Sequence, residues 1–150
     1  MTNIFKKTYL RDLAKIRHLL TNSKNTQKRI KYFTGRDAEI LYPPVDTGFF
    51  KPAEKTTEKS YFLSFARLSS IKRVDRIAKA FQSIPHEKLI ITYGKNDPEK
   101  NKIMNIVSAY SNISLRESPS DEELRELIRG AKATIYIPVD EDFGMSPVES

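Results

Sequence analysis

The sequence predicts an α/β protein with a doubly wound parallel sheet. Apolar runs rich in β-branched and aromatic residues have the length of strands and lie at 61–66, 89–93, 112–116 and 133–138. The first run, at 61–66, is nearly continuous in apolar residues, which is typical of a strand that is buried on both faces. Segments with helical periodicity separate the runs, and strands joined through helices pair in parallel. Strands and helices therefore alternate from residue 61 onward.

The first two helices of this region are predicted from their apolar faces. The helix at 72–83 carries apolar residues at the spacing i, i+3, i+4, i+7, namely Val74, Ile77, Ala78 and Phe81. A second helix should open at Asp97-Pro98, because proline is favoured at the first helical position. We expect its core residues to be Ile103, Met104, Ile106, Val107 and Tyr110.

The third helix has clear signals at both ends. Ser120 followed by Glu123 forms a capping box, and Gly130 should end the helix. The apolar residues between these signals are expected to face the core, and they are Leu124, Leu127 and Ile128.

The N-terminal part contains shorter elements. A helix is predicted at 3–15, and residues 16–21 fit either a short strand or a continuation of that helix. Asn25 or Thr26 should cap a helix that runs through Phe33 and ends at Gly35. A short strand at 39–42 is stopped by two prolines, and the polar residues 47–60 read as a linker.

Composition limits the classes of function. The chain has 150 residues, 39% hydrophobic and 30% charged, which is typical of a globular domain. The absence of Cys excludes disulfides, thiol catalysis and thiolate zinc sites, and two His are too few for a His-based metal site. No apolar run approaches the roughly 20 residues of a membrane span, and the N-terminus lacks the pattern of a signal peptide. The sequence therefore predicts a cytoplasmic location.

The charge is unevenly distributed along the chain. The net charge is +7, with the basic excess in residues 1–110 and an acidic excess in residues 111–150. A basic body suits an anionic partner, such as a nucleotide sugar, a nucleic acid or a lipid headgroup. The basic N-terminal portion would also suit peripheral attachment at the cytoplasmic face of an anionic membrane.

Two groups of polar residues follow predicted strands. Three acids, Gly144 and Glu149 lie after the last strand, at the carboxyl end where open α/β sheets bind ligands. Arg67 and Lys72 follow the first strand, just before a helix, where backbone N–H groups and cations can hold a phosphate. Arg73 and Arg76 are expected to face solvent.

The spacing of Glu141 and Glu149, with seven residues between them that include Phe143-Gly144 and Pro147, resembles the motif of family 4 retaining glycosyltransferases, which have the GT-B fold. The resemblance runs from residue 22 to residue 150. It includes further matches, namely Asn22-Ser23, Pro43-Pro44-Val45-Asp46, Arg67-Leu68 followed by Lys72, and Gly94. Ala66 replaces the glycine that usually precedes the Arg-Leu pair.

The resemblance implies a truncated enzyme. Residues 1–46 would be the end of the N-terminal acceptor-side domain, 47–60 the linker, and 61–150 an incomplete, Rossmann-like donor-binding domain. The complete enzyme would move a hexose from a nucleotide-diphosphate sugar to a saccharide or lipid-linked acceptor. The Lys72-Arg73-x-Asp75 run and Pro43-Pro44-Val45-Asp46 are most similar to mannosyltransferases of cell-surface polysaccharide assembly, so the resemblance favours mannose, with GDP-mannose as the donor. We expect no transfer by the 150-residue chain alone, because the reaction lies between two domains.

The resemblance also implies a role for each site residue. Arg67 and Lys72 would hold the donor diphosphate and offset its growing charge. Glu141 would lie by the transferred sugar, as nucleophile or as an electrostatic group. Glu149 would bind the ribose. The remaining donor-binding positions are the amides of Phe143, Gly144 and Met145, together with Gly94 and Ser118, the last in the loop that lines the base.

One other interpretation is discounted and two stay open. Asp140-Glu141-Asp142 also resembles the Asp-x-Asp metal motif of the other large glycosyltransferase fold, but protein cations serve in its place in GT-B enzymes, so no metal cofactor is expected. A non-catalytic nucleotide-binding module would keep the same binding residues. A nucleic-acid-binding domain would need exposed aromatics among the basic residues, whereas Phe62, Phe65 and Phe81 occupy predicted core positions.

Overall fold

The computed structural model describes residues 3–52 and 59–150. The chain divides into two compact units, residues 1–44 and 45–150. Part of the predicted linker, residues 53–58, lies outside the described residues. The assignment of the first unit to an acceptor-side domain stays a prediction.

The first unit contains two helices and a small parallel sheet. Its elements are α1 (Asn3–Ala14), β1 (Leu20–Thr21), α2 (Lys24–Thr34) and β2 (Glu39–Ile40). Strands β1 and β2 pair in parallel, so of the two alternatives for residues 16–21 the structure has a strand, at its last two residues.

The cap of α2 differs from the prediction. Ser23 caps the helix in place of Asn25 or Thr26, because its extended backbone brings Oγ to 3.1 Å from the Thr26 amide, which donates to it. Gly35 ends the helix as predicted, with φ of 73° and its amide donating to the Lys31 carbonyl.

The second unit has the predicted alternation of strands and helices. Its elements are β3 (Tyr61–Ser64), a 3₁₀ turn (Ser70–Lys72), α3 (Val74–Gln82), β4 (Leu89–Tyr93), α4 (Lys100–Val107), β5 (Ile113–Glu117), α5 (Asp121–Gly130), β6 (Ala131–Thr134) and α6 (Ser146–Glu149). The sheet order is β5-β4-β3-β6 and the adjacent strands pair in parallel. The doubly wound parallel sheet is therefore confirmed.

The sheet reverses its direction of growth at β3. The chain passes from β3 outward through β4 to β5, and then returns to place β6 on the other side of β3. Because such crossovers are right-handed, α3 and α4 cover one face of the sheet and α5 covers the other. In open α/β sheets a ligand crevice forms at the carboxyl ends of the strands on either side of such a reversal point.

The core lies on the α3 and α4 face of the sheet. The predicted apolar face of α3 is buried, and it packs with Leu89, Ile91 and Ile103. Burying each such side chain contributes about 1.5–3 kcal/mol. The assignment of Tyr110 and Met104 to the core was wrong: they are 37% and 42% exposed, since α4 already ends at Val107 and Met104 lies off its buried face.

Several element ends differ from those predicted. Helix α4 begins at Lys100, two residues beyond Asp97-Pro98, because the Asp97 carboxylate is bound to backbone amides of two loops. Strand β3 ends at Ser64, two residues before the predicted end, and β5 lies one residue further along the chain than predicted. Strand β6 follows α5 directly and ends at Thr134, so residues 135–138 of the predicted strand 133–138 are loop.

The start of the helix predicted at 72–83 is interrupted. Ser70–Lys72 form a 3₁₀ turn, Arg73 adopts the left-handed conformation with φ of 57°, and α3 begins at Val74. Arg76 is exposed as predicted, but Arg73 is partly buried, and among the described residues its Nε has no hydrogen-bond partner.

The capping box of Ser120 and Glu123 is present. Within 3–52 and 59–150, no helix has the length and apolar character to cross a membrane.

Candidate functional site

The predicted site residues lie at the carboxyl edge of the β3–β6 sheet. Backbone hydrogen bonds hold the loops of this edge to one another. The Val139 amide donates to the Ile71 carbonyl at 2.8 Å, which joins the loops after β6 and β3. The Glu99 amide donates to the Leu68 carbonyl at 3.0 Å, which joins the loops after β4 and β3. Backbone hydrogen bonds therefore link the loops that border the crevice expected at the reversal point.

Lys72 and Glu141 form an ion pair in this crevice. Lys72 Nζ donates to Glu141 Oε2 and, at 2.8 Å, to the hydroxyl of Tyr136. The Tyr136 hydroxyl donates in turn to Glu141 Oε2 at 2.6 Å. The side chains of Lys72 and Glu141 are 19% and 25% exposed, so the pair is only partly screened by solvent. The structure thus brings together two predicted catalytic residues that are far apart in sequence.

These contacts fix the protonation states of the three groups. The hydrogen bonds from Lys72 and Tyr136 hold the pKa of Glu141 below its ordinary value. Burial and the hydrogen bond to Glu141 raise the pKa of Tyr136. Burial acts to lower the pKa of Lys72, but hydrogen bonds to Glu141 and Tyr136 outweigh it and the pKa is raised. At neutral pH the site therefore holds an ammonium, a carboxylate and a neutral phenol.

Gly144 allows the loop after β6 to fold against this group. Its φ is 81°, in the left-handed region, and it is buried. A Cβ at this position would lie 3.0 Å from Tyr136 Cε1 and 3.4 Å from Glu141 Cγ. Both the backbone conformation and the close approach therefore require glycine.

Arg67 belongs to a second group, centred on Asp97. The Asp97 side chain is 8% exposed, and its Oδ1 lies 3.6 Å from Arg67 Nε. Its Oδ2 accepts from the amides of Leu68 at 2.8 Å and Gly94 at 3.0 Å. One carboxylate thus ties together the loops after β3 and β4. No hydrogen bond or ion pair in the described part of the chain joins Arg67 to Lys72.

Gly94 and Ser118 lie on neighbouring loops of the same edge. The Ser118 amide donates to the Tyr93 carbonyl at 2.7 Å, which continues the β4–β5 ladder. Ser118 Oγ accepts from the Lys95 amide at 3.2 Å, and the Ser118 φ is 45°. The loop that the sequence assigned to the nucleotide base therefore turns sharply immediately after β5.

Glu149 occupies a different environment from Glu141. It is the last residue of α6 and is partly buried. Burial and the charge of Asp121 raise the pKa of Glu149. In the described residues no side chain donates a hydrogen bond to its carboxylate. A partly buried carboxylate in this situation is well suited to accept hydrogen bonds from the hydroxyl groups of a ligand.

The loop between the two glutamates also presents backbone donors. Gly144 is buried and Met145 is partly buried. In the part of the chain that the structure describes, neither amide donates to another protein group. Phe143 precedes them in the same loop and is partly buried. These two amides could therefore donate to an acceptor oxygen of a ligand.

Sequence reasoning missed two residues of this edge. The sequence pattern places Tyr136 in a buried strand and Asp97 at the start of a helix. A tyrosine in an apolar run with acids five residues away was the available signal for Tyr136. Asp97 had none, because its partner Leu68 lies 29 residues away in the sequence.

A second cluster with similar chemistry lies at the ends of β4 and β5. The Tyr93 hydroxyl donates to Glu117 Oε2 at 3.0 Å, and Lys100 Nζ donates to the same oxygen at 2.6 Å. The hydrogen bonds from Lys100 and Tyr93 lower the pKa of Glu117. This Tyr93 cluster is more exposed than the group formed by Lys72, Tyr136 and Glu141.

The acids of the loop after β6, Asp140, Glu141 and Asp142, are candidate metal ligands because of their resemblance to the Asp-x-Asp motif. Over residues 3–52 and 59–150, no group of three or more His, Asp and Glu side chains is arranged to hold a metal ion. The expectation of a metal-independent site stays a prediction.

Comparison with known proteins identifies the fold. No protein-family profile and no curated protein sequence matches the chain. A solved structure of an S. aureus TarM variant, crystallised with fondaparinux, alpha-GlcNAc-glycerol and UDP, is similar, with a TM-score of 0.75 at 16% identity over 96% of this chain. The lipopolysaccharide outer core galactosyltransferase WaaB is similar over 88% of this chain, with a TM-score of 0.62 and 20% identity.

A third similar structure is AviGT4, a glycosyltransferase involved in avilamycin A biosynthesis. Its TM-score is 0.58, at 22% identity over 77% of this chain. The chain covers 30% of the TarM variant, 40% of WaaB and 33% of AviGT4. At these identities the similarity shows the fold, which is the Rossmann-like α/β fold of GT-B glycosyltransferases.

Proposed function

We propose that the chain is the donor-binding part of a retaining glycosyltransferase that takes a hexose from a nucleotide-diphosphate sugar. The observation that carries the proposal is the placement of Lys72, Glu141 and Gly144 in one crevice at the reversal point of the sheet. Parallel α/β sheets bind ligands at this point. The fold shared with glycosyltransferases of known structure supports the same function.

The charges of the crevice suit departure of a diphosphate. As the bond to the anomeric carbon breaks, negative charge grows on the leaving group, and a fixed ammonium lowers the energy of that state. Lys72 is such an ammonium, since its pKa is raised. Arg67, 69% exposed and held on one side by Asp97, would contact the same diphosphate from the loop after β3. In this proposal both act as donor-binding and catalytic cations.

Glu141 would act as a carboxylate. Its lowered pKa makes it a poor proton donor at neutral pH. A diphosphate leaving group needs no general acid, so in this proposal the carboxylate stabilises positive charge at the sugar or attacks the anomeric carbon. Both roles are compatible with retained configuration, and both place Glu141 beside the transferred sugar.

Glu149 would bind the ribose of the donor. Two vicinal hydroxyls would supply the hydrogen-bond donors that its partly buried carboxylate lacks within the described chain. The amides of Gly144 and Met145, with that of Phe143, would complete the donor pocket, and the loops at Gly94 and Ser118 would line the base. GDP-mannose stays the favoured donor, and the acceptor would be a saccharide or a lipid-linked saccharide.

Calorimetric titration of the chain with GDP, UDP and ADP tests the proposal. One nucleotide should bind, and Arg67→Ala should weaken it by roughly 10- to 100-fold, since a hydrogen bond to a charged group is worth about 1.5–3 kcal/mol. Glu149→Ala should weaken it as well. Arg76→Ala is the matched control, because Arg76 is an exposed cation on α3 and has no predicted role.

The variants also separate the donor site from general attraction of anions. Equal weakening by Arg67→Ala and Arg76→Ala would indicate nonspecific charge and would contradict the proposal. Binding by a non-catalytic nucleotide module would give the same titration. Transfer of the sugar by a protein that also contains the acceptor domain would distinguish the two.

The exposed face of α2 supports peripheral attachment to an anionic membrane. Tyr32 and Phe33 are 83% and 65% exposed, and they lie among the exposed basic residues Lys28, Arg29 and Lys31. Basic helices with exposed aromatics bind at the lipid headgroup level. Sedimentation with vesicles containing anionic lipid should retain the chain, and Tyr32→Ser with Phe33→Ser should release it. Preference for oligonucleotides over vesicles would revive the nucleic-acid interpretation.

A further inference from the structure

We propose that Tyr136 is a positioning residue of this site, which orients the Glu141 carboxylate and holds it against Lys72. The proposal deepens the proposed function, since it concerns how the same crevice is kept ready for a donor. Its evidence is the geometry of the side chains, and its test needs no nucleotide.

The hydroxyl of Tyr136 bridges the ion pair. It accepts from Lys72 Nζ at 2.8 Å and donates to Glu141 Oε2 at 2.6 Å. A phenol can donate one hydrogen bond while it accepts another, so both contacts exist together. Lys72 also donates directly to the same Glu141 oxygen, and the three groups close a triangle. Rotation of the carboxylate would break two hydrogen bonds at once.

The ring of Tyr136 restrains the carboxylate in a second way. It packs against the hydrophobic core on one side, and Lys72 Nζ lies 5.2 Å from its centroid. Tyr136 and Glu141 both border the space beside Gly144. A Cβ on Gly144 would lie 3.0 Å from Tyr136 Cε1 and 3.4 Å from Glu141 Cγ. The loop after β6 therefore fits closely around the tyrosine, and the tyrosine sets where Glu141 stands.

Packing alone is the competing explanation for this tyrosine. A ring that only filled space would serve equally well without its hydroxyl. Tyr136→Phe would then leave Glu141 and Lys72 unchanged. A positioning role predicts that the same substitution removes one of the two side-chain donors to Glu141, and a carboxylate with fewer donors becomes easier to protonate.

The test is a carboxyl ¹³C NMR titration of the full 150-residue chain, with Glu141→Gln to assign the Glu141 signal. Tyr136→Phe should shift the Glu141 midpoint to higher pH. Tyr93→Phe is a matched control, because it makes the same chemical change in the Tyr93 cluster. It should shift the Glu117 midpoint upward and leave that of Glu141 in place. An unchanged Glu141 midpoint in folded Tyr136→Phe would overturn the proposal.

A measurement on the unsubstituted chain covers the case in which Tyr136→Phe does not fold. The hydroxyl proton of Tyr136, shared with Glu141, should exchange with water more slowly than that of exposed Tyr32. Equal exchange rates would contradict the bridging hydroxyl.

The positioning role and the donor site can fail separately. If Tyr136→Phe shifts the Glu141 midpoint but the unsubstituted chain binds no nucleoside diphosphate, the positioning role is supported and the proposed function is not. If the chain binds a nucleoside diphosphate but the midpoint does not move, the donor site is supported and the positioning role is refuted.

Discussion

Replacement of Gly144 by alanine tests whether the loop after β6 is as closely fitted as the structure shows. Gly144 and Gly35 both have positive φ, 81° and 73°. An alanine in this conformation costs about 1–2 kcal/mol at either position. The two sites differ in the space available, since a Cβ at Gly35 would meet no atom within 4 Å.

The surroundings of Gly144 add a second cost. A Cβ there would lie 3.0 Å from Tyr136 Cε1 and 3.2 Å from its hydroxyl. Tyr136 would have to move, but its hydroxyl is bound to Lys72 and Glu141. Overpacking of this kind costs about 1–3 kcal/mol. Gly144→Ala should therefore lose about 2–5 kcal/mol of unfolding free energy, and Gly35→Ala about 1–2 kcal/mol.

Urea unfolding followed by NMR signals within each unit measures the two losses separately. Each variant is compared with the unsubstituted chain through signals of its own unit, because the two glycines lie in different units. A loss for Gly144→Ala no larger than that for Gly35→Ala would refute the close packing of Tyr136, Glu141 and Gly144.

Other substitutions at this edge have opposite expected effects on stability. Glu149→Gln should stabilise the ligand-free chain at pH 7, because the raised pKa of Glu149 means that ionisation of its carboxyl group opposes folding. The gain in stability should vanish below about pH 4, where Glu149 is protonated in both the folded and the unfolded chain. Glu141→Gln should destabilise the chain at pH 7, since the lowered pKa of Glu141 means that folding stabilises its carboxylate. This loss of stability should shrink as the pH falls through the pKa of Glu141 in the folded chain. Urea unfolding at several pH values checks both signs, and the same sign for both would contradict the two environments. Asp97→Ala should cost about 1–3 kcal/mol for each backbone amide left unpaired, whereas Asp37→Ala, at an exposed ion pair, should cost at most about 1 kcal/mol.

The order of strands and helices in the second unit was predictable because it depends on local patterns. Buried strands and the apolar face of α3 follow from periodicity, and the capping box of Ser120 and Glu123 is a short-range signal. The positions of Arg67 and Lys72 after β3 follow from the same patterns together with the family resemblance.

Features that depend on tertiary contacts were not predictable. Strand β6 ends at Thr134, so Tyr136 enters the crevice, although its neighbours in sequence are apolar. Asp97 precedes a proline, which locally favours a helix start, but its carboxylate binds the Leu68 amide, 29 residues away, as well as the nearby Gly94 amide. Arg73 has a left-handed backbone that its residue type does not favour.

The position of a bound nucleoside diphosphate is the most direct test of the central claim. Amide chemical shifts of the ¹⁵N-labelled chain, recorded with GDP, UDP or ADP, would locate the nucleotide. The account predicts that the largest changes fall on Lys72, Gly144 and Met145, with smaller ones along α6. Changes confined to the exposed basic residues Lys28, Arg29 and Lys31 of α2 would contradict a donor site at the reversal point of the sheet.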